Sequence, residues 1–301
     1  MIVTVTLNPA LYVDYTADRI RLGATNEVGR VRHWVGGRGL AVARLVHTFG
    51  HDVMAAGLAG GSAGELIKSE LARAGVATRF TRISAETRRV VRVADVSGQA
   101  TSFREPAPYI TTEELGRLAA DYRAMLEGAT AIVLCGSLPA GLPAETYGSL
   151  ISYATAAGVP VILDAGGSEL RYGLARGPAL VLPDRASEGI GLDAADASSV
   201  VLSTERGVRV LTPKGQWQAE ISPAATTAAE YGEAEEHDLD GFRAGLVAGF
   251  VPGIALRWSW PDILRHAVAL AASASPDGEA DLAAYEELLP QVFVTGPAAA
   301  C

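Results

Sequence analysis

Apolar and polar positions alternate in a regular rhythm along most of this chain. Residues 2–7, IVTVTL, predict a first strand, broken by Asn8-Pro9-Ala10. Short alternating pieces follow over 12–31, among them YVDYTADRI and NEVGRVRHW, and suit a β-hairpin. VGGRG at 35–39 leads into a helical pattern over 40–49, which Gly50-His51-Asp52 ends. Residues 53–58 are strand-like, and Gly60-Gly61-Ser62 opens a helix over 63–74. Residues 86–96 and 100–104, joined at Ser97-Gly98, predict a second hairpin that carries Arg88, Arg89, Arg92 and Arg104.

From Thr111 the spacing predicts a helix to about residue 126, a strand over 131–135, and the turn GSLPAG at 136–141. A helix over 144–157 and a strand over 159–163 come next, then Asp164-Ala165-Gly166-Gly167. A short strand over 179–182 ends at Pro183-Asp184, and strands over 199–203, 208–212 and 217–221 follow. Helices from Asp240, over 261–274 and over 282–289 close the chain, with an Ala-rich tail after Gly296 expected to fray. Continuous apolar strands alternating with helices predict a mainly parallel sheet covered on both faces. Its Gly/Asp/Pro turns fall at the carboxyl edge, where such sheets bind ligands. The two early hairpins do not fit that rhythm and read as a small β lid over the edge.

The stretch EEHDLDGFRAGLVAGF at 235–250 puts Phe242, Leu246, Val247 and Phe250 on one helical face. Small residues at Gly241, Ala244, Gly245, Ala248 and Gly249 predict close packing of that helix against a sheet. Asp240 at its start has two readings. It is an N-cap that satisfies orphan amides, or a base held where backbone N–H groups also bind phosphate.

Composition narrows the function classes. A net charge of −9 with no basic tract argues against nucleic acid and anionic membranes as partners. No run approaches the ~18 apolar residues of a membrane span. The N-terminus lacks a basic segment and reads as a strand, not a signal peptide. The two cysteines, Cys135 in a buried strand and Cys301 at the end, suit a reducing cytoplasm. The five histidines show no metal-site spacing. At the predicted edge, the glycine amides and Arg38 of VGGRGLAVAR suit a sugar hydroxyl or phosphate. Asp164 either holds a metal-bound water or caps the next turn.

The motifs TVTLNPAL, VGGRGLAVAR, GLAGGSAGE, ETRRVVRV, FREPAP, CGSLPAGLP, VILDAGG and LLPQVFV occur in one order along essentially the whole chain. In this the chain resembles the ribokinase-like (PfkB) sugar kinases, most closely the branch of 1-phosphofructokinase and tagatose-6-phosphate kinase. The resemblance implies a three-layer α/β/α sandwich with a mainly parallel sheet, as one domain over 1–301. It implies a β lid formed by about 12–31 and 86–105, and a homodimer through that lid. It also implies transfer of the ATP γ-phosphoryl, with Mg2+, to a hydroxyl of a sugar or sugar phosphate. Asp240 is the implied base. The implied substrate contacts are Asp14, Gly37, Arg38, Gly39, Arg88, Arg104 and Ser137. The implied nucleotide contacts are Asp184, Ser203, Gly207, His237 and Leu239, and no protein ligand to the metal is assigned.

Several positions depart from the family pattern. GAGD is His237-Asp238-Leu239-Asp240, without the glycines whose amides approach phosphate. KPNxxE is Leu182-Pro183-Asp184-Arg185-Ala186-Ser187. The Asp of NPALD is Tyr12, with Asp14 one strand step away on the same face. GGKGxN is Gly36-Gly37-Arg38-Gly39-Leu40-Ala41. Two functions remain open on these residues. One is an active kinase with a shifted substrate. The other is a catalytically impaired homologue that binds a sugar phosphate or other metabolite without phosphoryl transfer.

Overall fold

The computed structural model describes residues 1–97, 100–184, 187, 198–204, 207–221, 236–275 and 277–298, with 236–240 and 298 described by their backbone only. The first half contains β1 (Ile2–Thr6), β2 (Ala10–Ala17), β3 (Arg30–Gly36), α1 (Arg38–Thr48), β4 (Val53–Ala59), α2 (Gly61–Arg73), β5 (Ala77–Arg82), β6 (Arg89–Asp95) and β7 (Ala100–Arg104). There follow α3 (Thr112–Leu126), β8 (Ala131–Cys135), α4 (Thr146–Ala156), β9 (Val161–Ala165), α5 (Gly167–Leu174) and β10 (Leu180–Pro183). The rest comprises β11 (Ser199–Thr204), β12 (Gly207–Thr212), β13 (Gly215–Ile221), α6 (Glu236–Leu256), α7 (Trp260–Ser273), α8 (Leu282–Leu288) and β14 (Val292–Ala298).

Ten strands form one sheet in the order β14-β13-β12-β11-β10-β9-β8-β1-β4-β5. It is parallel from β5 through β11 and antiparallel from β11 to β14. β1, β8, β9 and β10 are buried along their whole length, as near-continuous apolar strands covered on both faces must be. Their side chains alternate between two cores. Ile2 and Val133 join the core under α1, α2, α6 and α7, while Val3, Val5, Ile132 and Leu134 join the core under α3, α4 and α5. The fold is thus the expected α/β/α sandwich. Both predicted hairpins enter one separate four-stranded sheet in the order β3-β2-β6-β7, with β2 and β6 parallel.

Three elements were not expected from the pattern. β5 is a sheet-edge strand whose sequence ATRFTR offers little apolar signal. α5 is short and begins at two glycines. β14 runs past the point where fraying was expected and pairs antiparallel with β13, while 299–301 lie outside the described residues.

The start of α6 is a correction. The helix begins at Glu236 and not at Asp240, so Asp240 lies inside it and the N-cap reading fails. HDLD contains no glycine to break the helix, and acidic residues in a first turn favour the macrodipole. Two of the small residues of α6 serve a neighbour other than the sheet. A Cβ at Gly245 or Gly249 would collide with the backbone of Ala271 or Ala267, so this face packs on α7. No described helix is long and apolar enough to cross a membrane.

Candidate functional site

A cavity of about 130 Å³ opens where β1 and β8 end, between the first turn of α1 and the four-stranded sheet. Backbone requirements explain the glycines here. Gly37 sits at φ 126°, which side-chain-bearing residues rarely adopt, and is the N-cap of α1. At Gly39 a Cβ would strike Thr6 Oγ1, so its absence lets α1 approach β1. The turn after β8 is held by Tyr147, whose hydroxyl lies 3.0 Å from the carbonyl oxygens of both Cys135 and Gly136. That turn presents Ser137, whose Oγ accepts from Asn8 Nδ2 at 3.2 Å. Cys135 is a free, buried thiol at the cavity, and burial pushes its pKa well up.

Asp164, at the end of β9, is completely buried and is the electrostatic centre of the region. Arg38 Nη1 lies 3.1 Å from its Oδ1, and Arg243 Nε donates to the same oxygen at 2.6 Å. Arg243 Nη1 also donates to the Pro183 carbonyl at 2.8 Å, and Nη2 to the Leu182 carbonyl at 2.5 Å. One guanidinium from α6 therefore spans the carboxyl ends of β9 and β10. In the structure Asp164 anchors two arginines through Oδ1, while its Oδ2 is buried without a hydrogen-bond partner. Arg243 escaped the sequence reading, although it is the lone charged residue between Gly241 and Ala255.

Arg38, Gly37, Arg88 and Ser137 all line the cavity. Arg88 has no ion pair among the described residues, and its Nε is buried without a hydrogen-bond partner. Burial lowers its pKa, Tyr12 opposes that shift, and the neighbouring Arg104 cation adds to it. Arg104 itself is exposed at the end of β7, away from the cavity lining. Asp14 is likewise not a lining residue; its Oδ2 accepts from the indole N–H of Trp34 at 2.9 Å, and its Oδ1 is buried without a partner.

The expected nucleotide contacts lie on the other side of β9 in the strand order. Asp184, just past β10, rests its carboxylate where a Cβ of Gly166 would be, and its Oδ1 is buried without a partner. Ser203 lies in β11, and Gly207 opens β12 opposite Thr204. His237, Leu239 and Asp240 fall in the first turns of α6, with their side chains outside the described residues. Arg185, Ala186, Glu205 and Arg206 also lie outside them. Among the described residues no group of three or more His, Cys, Asp or Glu is placed to hold a metal ion.

Comparison with solved structures finds the same fold repeatedly. A protein described as a possible 1-phosphofructokinase from Thermotoga maritima superposes with a TM-score of 0.80 at 23% identity, covering 98% of each chain. The tetrameric inhibited form of phosphofructokinase-2 from Escherichia coli gives 0.79 at 24% identity, covering 96% of this chain and 98% of that one. The same enzyme in complex with fructose-6-phosphate gives 0.78 at 23% identity with the same coverage. At these identities the likeness establishes the fold. The profile of the pfkB family carbohydrate kinases matches residues 7–186, more than half of the sequence, and with the fold and the cavity above it settles the descent: this chain belongs to the pfkB carbohydrate kinase family.

Proposed function

We propose that this protein transfers the γ-phosphoryl group of ATP to a hydroxyl of a phosphorylated sugar bound in the cavity at the ends of β1 and β8. The observation that carries the reading is Arg88. A half-buried guanidinium with no carboxylate partner among the described residues is unfavourable unless an anion arrives with the ligand, and a sugar phosphate brings one. Arg38 stands beside it in the same cavity, which makes the pair a clamp for the substrate phosphate. Asn8 and Ser137 offer hydrogen-bond partners to sugar hydroxyls. Asp240 is the base that takes the acceptor proton.

The family's kinases use ATP with magnesium. Magnesium is commonly held by one or two carboxylates together with waters and phosphate oxygens. Asp164 Oδ2 and Asp184 Oδ1 are buried carboxylate oxygens without partners, so their chemistry fits such an ion. ATP would supply the transferred group, and the ion would neutralise charge on its phosphates. The chain's own contribution is to position the acceptor with Arg38, Arg88, Asn8 and Ser137, and to accept its proton at Asp240. Asp240→Asn should lower kcat by about a thousandfold with little change in melting temperature. An unchanged kcat in that variant would refute the base assignment.

A second reading is favoured by the early start of α6. The amide of Asp240 is drawn into the helix ladder, and the sequence beside it lacks the glycines that expose amides to phosphate. On that reading the chain binds a sugar phosphate without transferring phosphate. Calorimetric titration with Mg·ATP separates the two: micromolar binding supports the kinase, and no binding at millimolar nucleotide supports the impaired homologue. We also propose a cytoplasmic homodimer, paired through the four-stranded sheet acting as a lid.

A further inference from the structure

The position at which the family pattern places a substrate-gripping carboxylate is occupied here by an aromatic pair. Tyr12 and Trp34 face each other across β2 and β3, with ring centroids 4.0 Å apart and planes 26° from parallel. Both line the cavity that holds Arg38 and Arg88. Trp34 is buried behind Tyr12, and Tyr12 is the more exposed of the two. Neighbouring residues fix the pair. Asp14 accepts the Trp34 indole N–H, and the Tyr12 ring lies so close over Gly36 that any Cβ there would collide with it. The nearby carboxylate of Asp14 thus holds the Trp34 ring through Oδ2 and is not among the residues that line the cavity. No carboxylate is present among the described residues that line the cavity.

We infer that Tyr12, backed by Trp34, selects an acceptor sugar by stacking on its ring. The preferred acceptor is then a phosphorylated pyranose and not a furanose. This inference rests on the sugar-phosphate reading above and deepens it. A pyranose chair with equatorial hydroxyls turns its axial C–H bonds outward as a flat apolar face, which suits an aromatic ring. A puckered furanose carries hydroxyls on both faces. Set against Tyr12, some of those hydroxyls would lose water without gaining an acceptor. Arg38 and Arg88 supply the phosphate contact in either case, so the aromatic wall sets the preference between ring forms.

The test is calorimetric titration with glucose 6-phosphate, fructose 6-phosphate and inorganic phosphate, on the wild-type chain and on Tyr12→Ala and Tyr12→Phe. The expected result is glucose 6-phosphate bound about tenfold tighter than fructose 6-phosphate by the wild type, the scale of one aromatic contact. Tyr12→Ala should erase that preference while affinity for inorganic phosphate holds, and Tyr12→Phe should restore it. Equal or tighter binding of fructose 6-phosphate by the wild type overturns the stacking inference alone. So does a preference that survives Tyr12→Ala, or one that Tyr12→Phe loses. If neither sugar phosphate binds more tightly than inorganic phosphate, the sugar-phosphate reading itself falls, and the inference with it.

Discussion

Asp164 is the residue on which the site's charge balance turns. It is fully buried and keeps its negative charge company with Arg38 and Arg243. Removing one partner of a buried pair leaves an uncompensated charge, so Arg243→Ala should destabilise the fold by about 3 kcal/mol in denaturant titration. Loss of under half that amount would mean that Arg38 alone satisfies Asp164. His266 gives a prediction in pH. It is buried among aromatic rings, with Nδ1 2.7 Å from the Tyr285 hydroxyl and Nε2 unpartnered. Burial first, and nearby His51 second, lower its pKa from 6.5 to about 4. Protonation therefore favours the unfolded chain. The penalty is absent above pH 6.5 and grows to about 3 kcal/mol as pH falls towards 4. His266→Phe should flatten that part of the stability profile. Of the site, the sequence made legible the residues carried by local motifs: Gly37, Arg38, Arg88 and Ser137 line one cavity. Arg243 and the Asp14–Trp34 bond were not legible, because each needs a partner 79 or 20 residues away that only the fold brings near.

At the level of elements, α6 is held by what it lacks. The glycines at 245 and 249 let the α7 backbone lie against it, and Gly249→Ala should cost about 1–3 kcal/mol through forced separation of the two helices. A stability unchanged within ~0.5 kcal/mol would show that the helices yield more easily than this contact implies. α3 illustrates the opposite case, an end fixed by side chains. Thr111 and Glu114 form a reciprocal capping box, and Thr111→Ala should cost about 1 kcal/mol. Backbone amide bonds, led by that of Thr111, lower the Glu114 pKa, so this support weakens only in acid. These two elements also show where sequence reading succeeds. TTEE announces its helix start locally. HDLD does not, because acidic residues serve equally as approach loop and as first turn. β5 stayed hidden for a related reason: as an edge strand it buries too little to impose an apolar pattern.

The molecule as a whole leaves one face conspicuously open. β7 is the outer strand of the four-stranded sheet and is exposed along nearly its whole length, with Phe103 60% accessible, while Val31 on the opposite outer strand, β3, is 51% accessible. Unpaired edges invite a second chain. Light scattering should give a dimeric mass that Phe103→Glu reduces to a monomeric one, and a monomeric wild type would remove the proposed assembly. The ion network beneath that sheet has a further consequence. Arg38 reaches Asp164 from the cavity and Arg243 reaches it from the helix that carries Asp240, so the proposed sugar and nucleotide halves of the site draw on a single anion. A phosphate that pulls Arg38 towards itself changes what Arg243 must neutralise. Occupancy of either half should then alter affinity at the other, by the same factor in both directions. The two ligands would communicate through Asp164 Oδ1, the one oxygen that both arginines share.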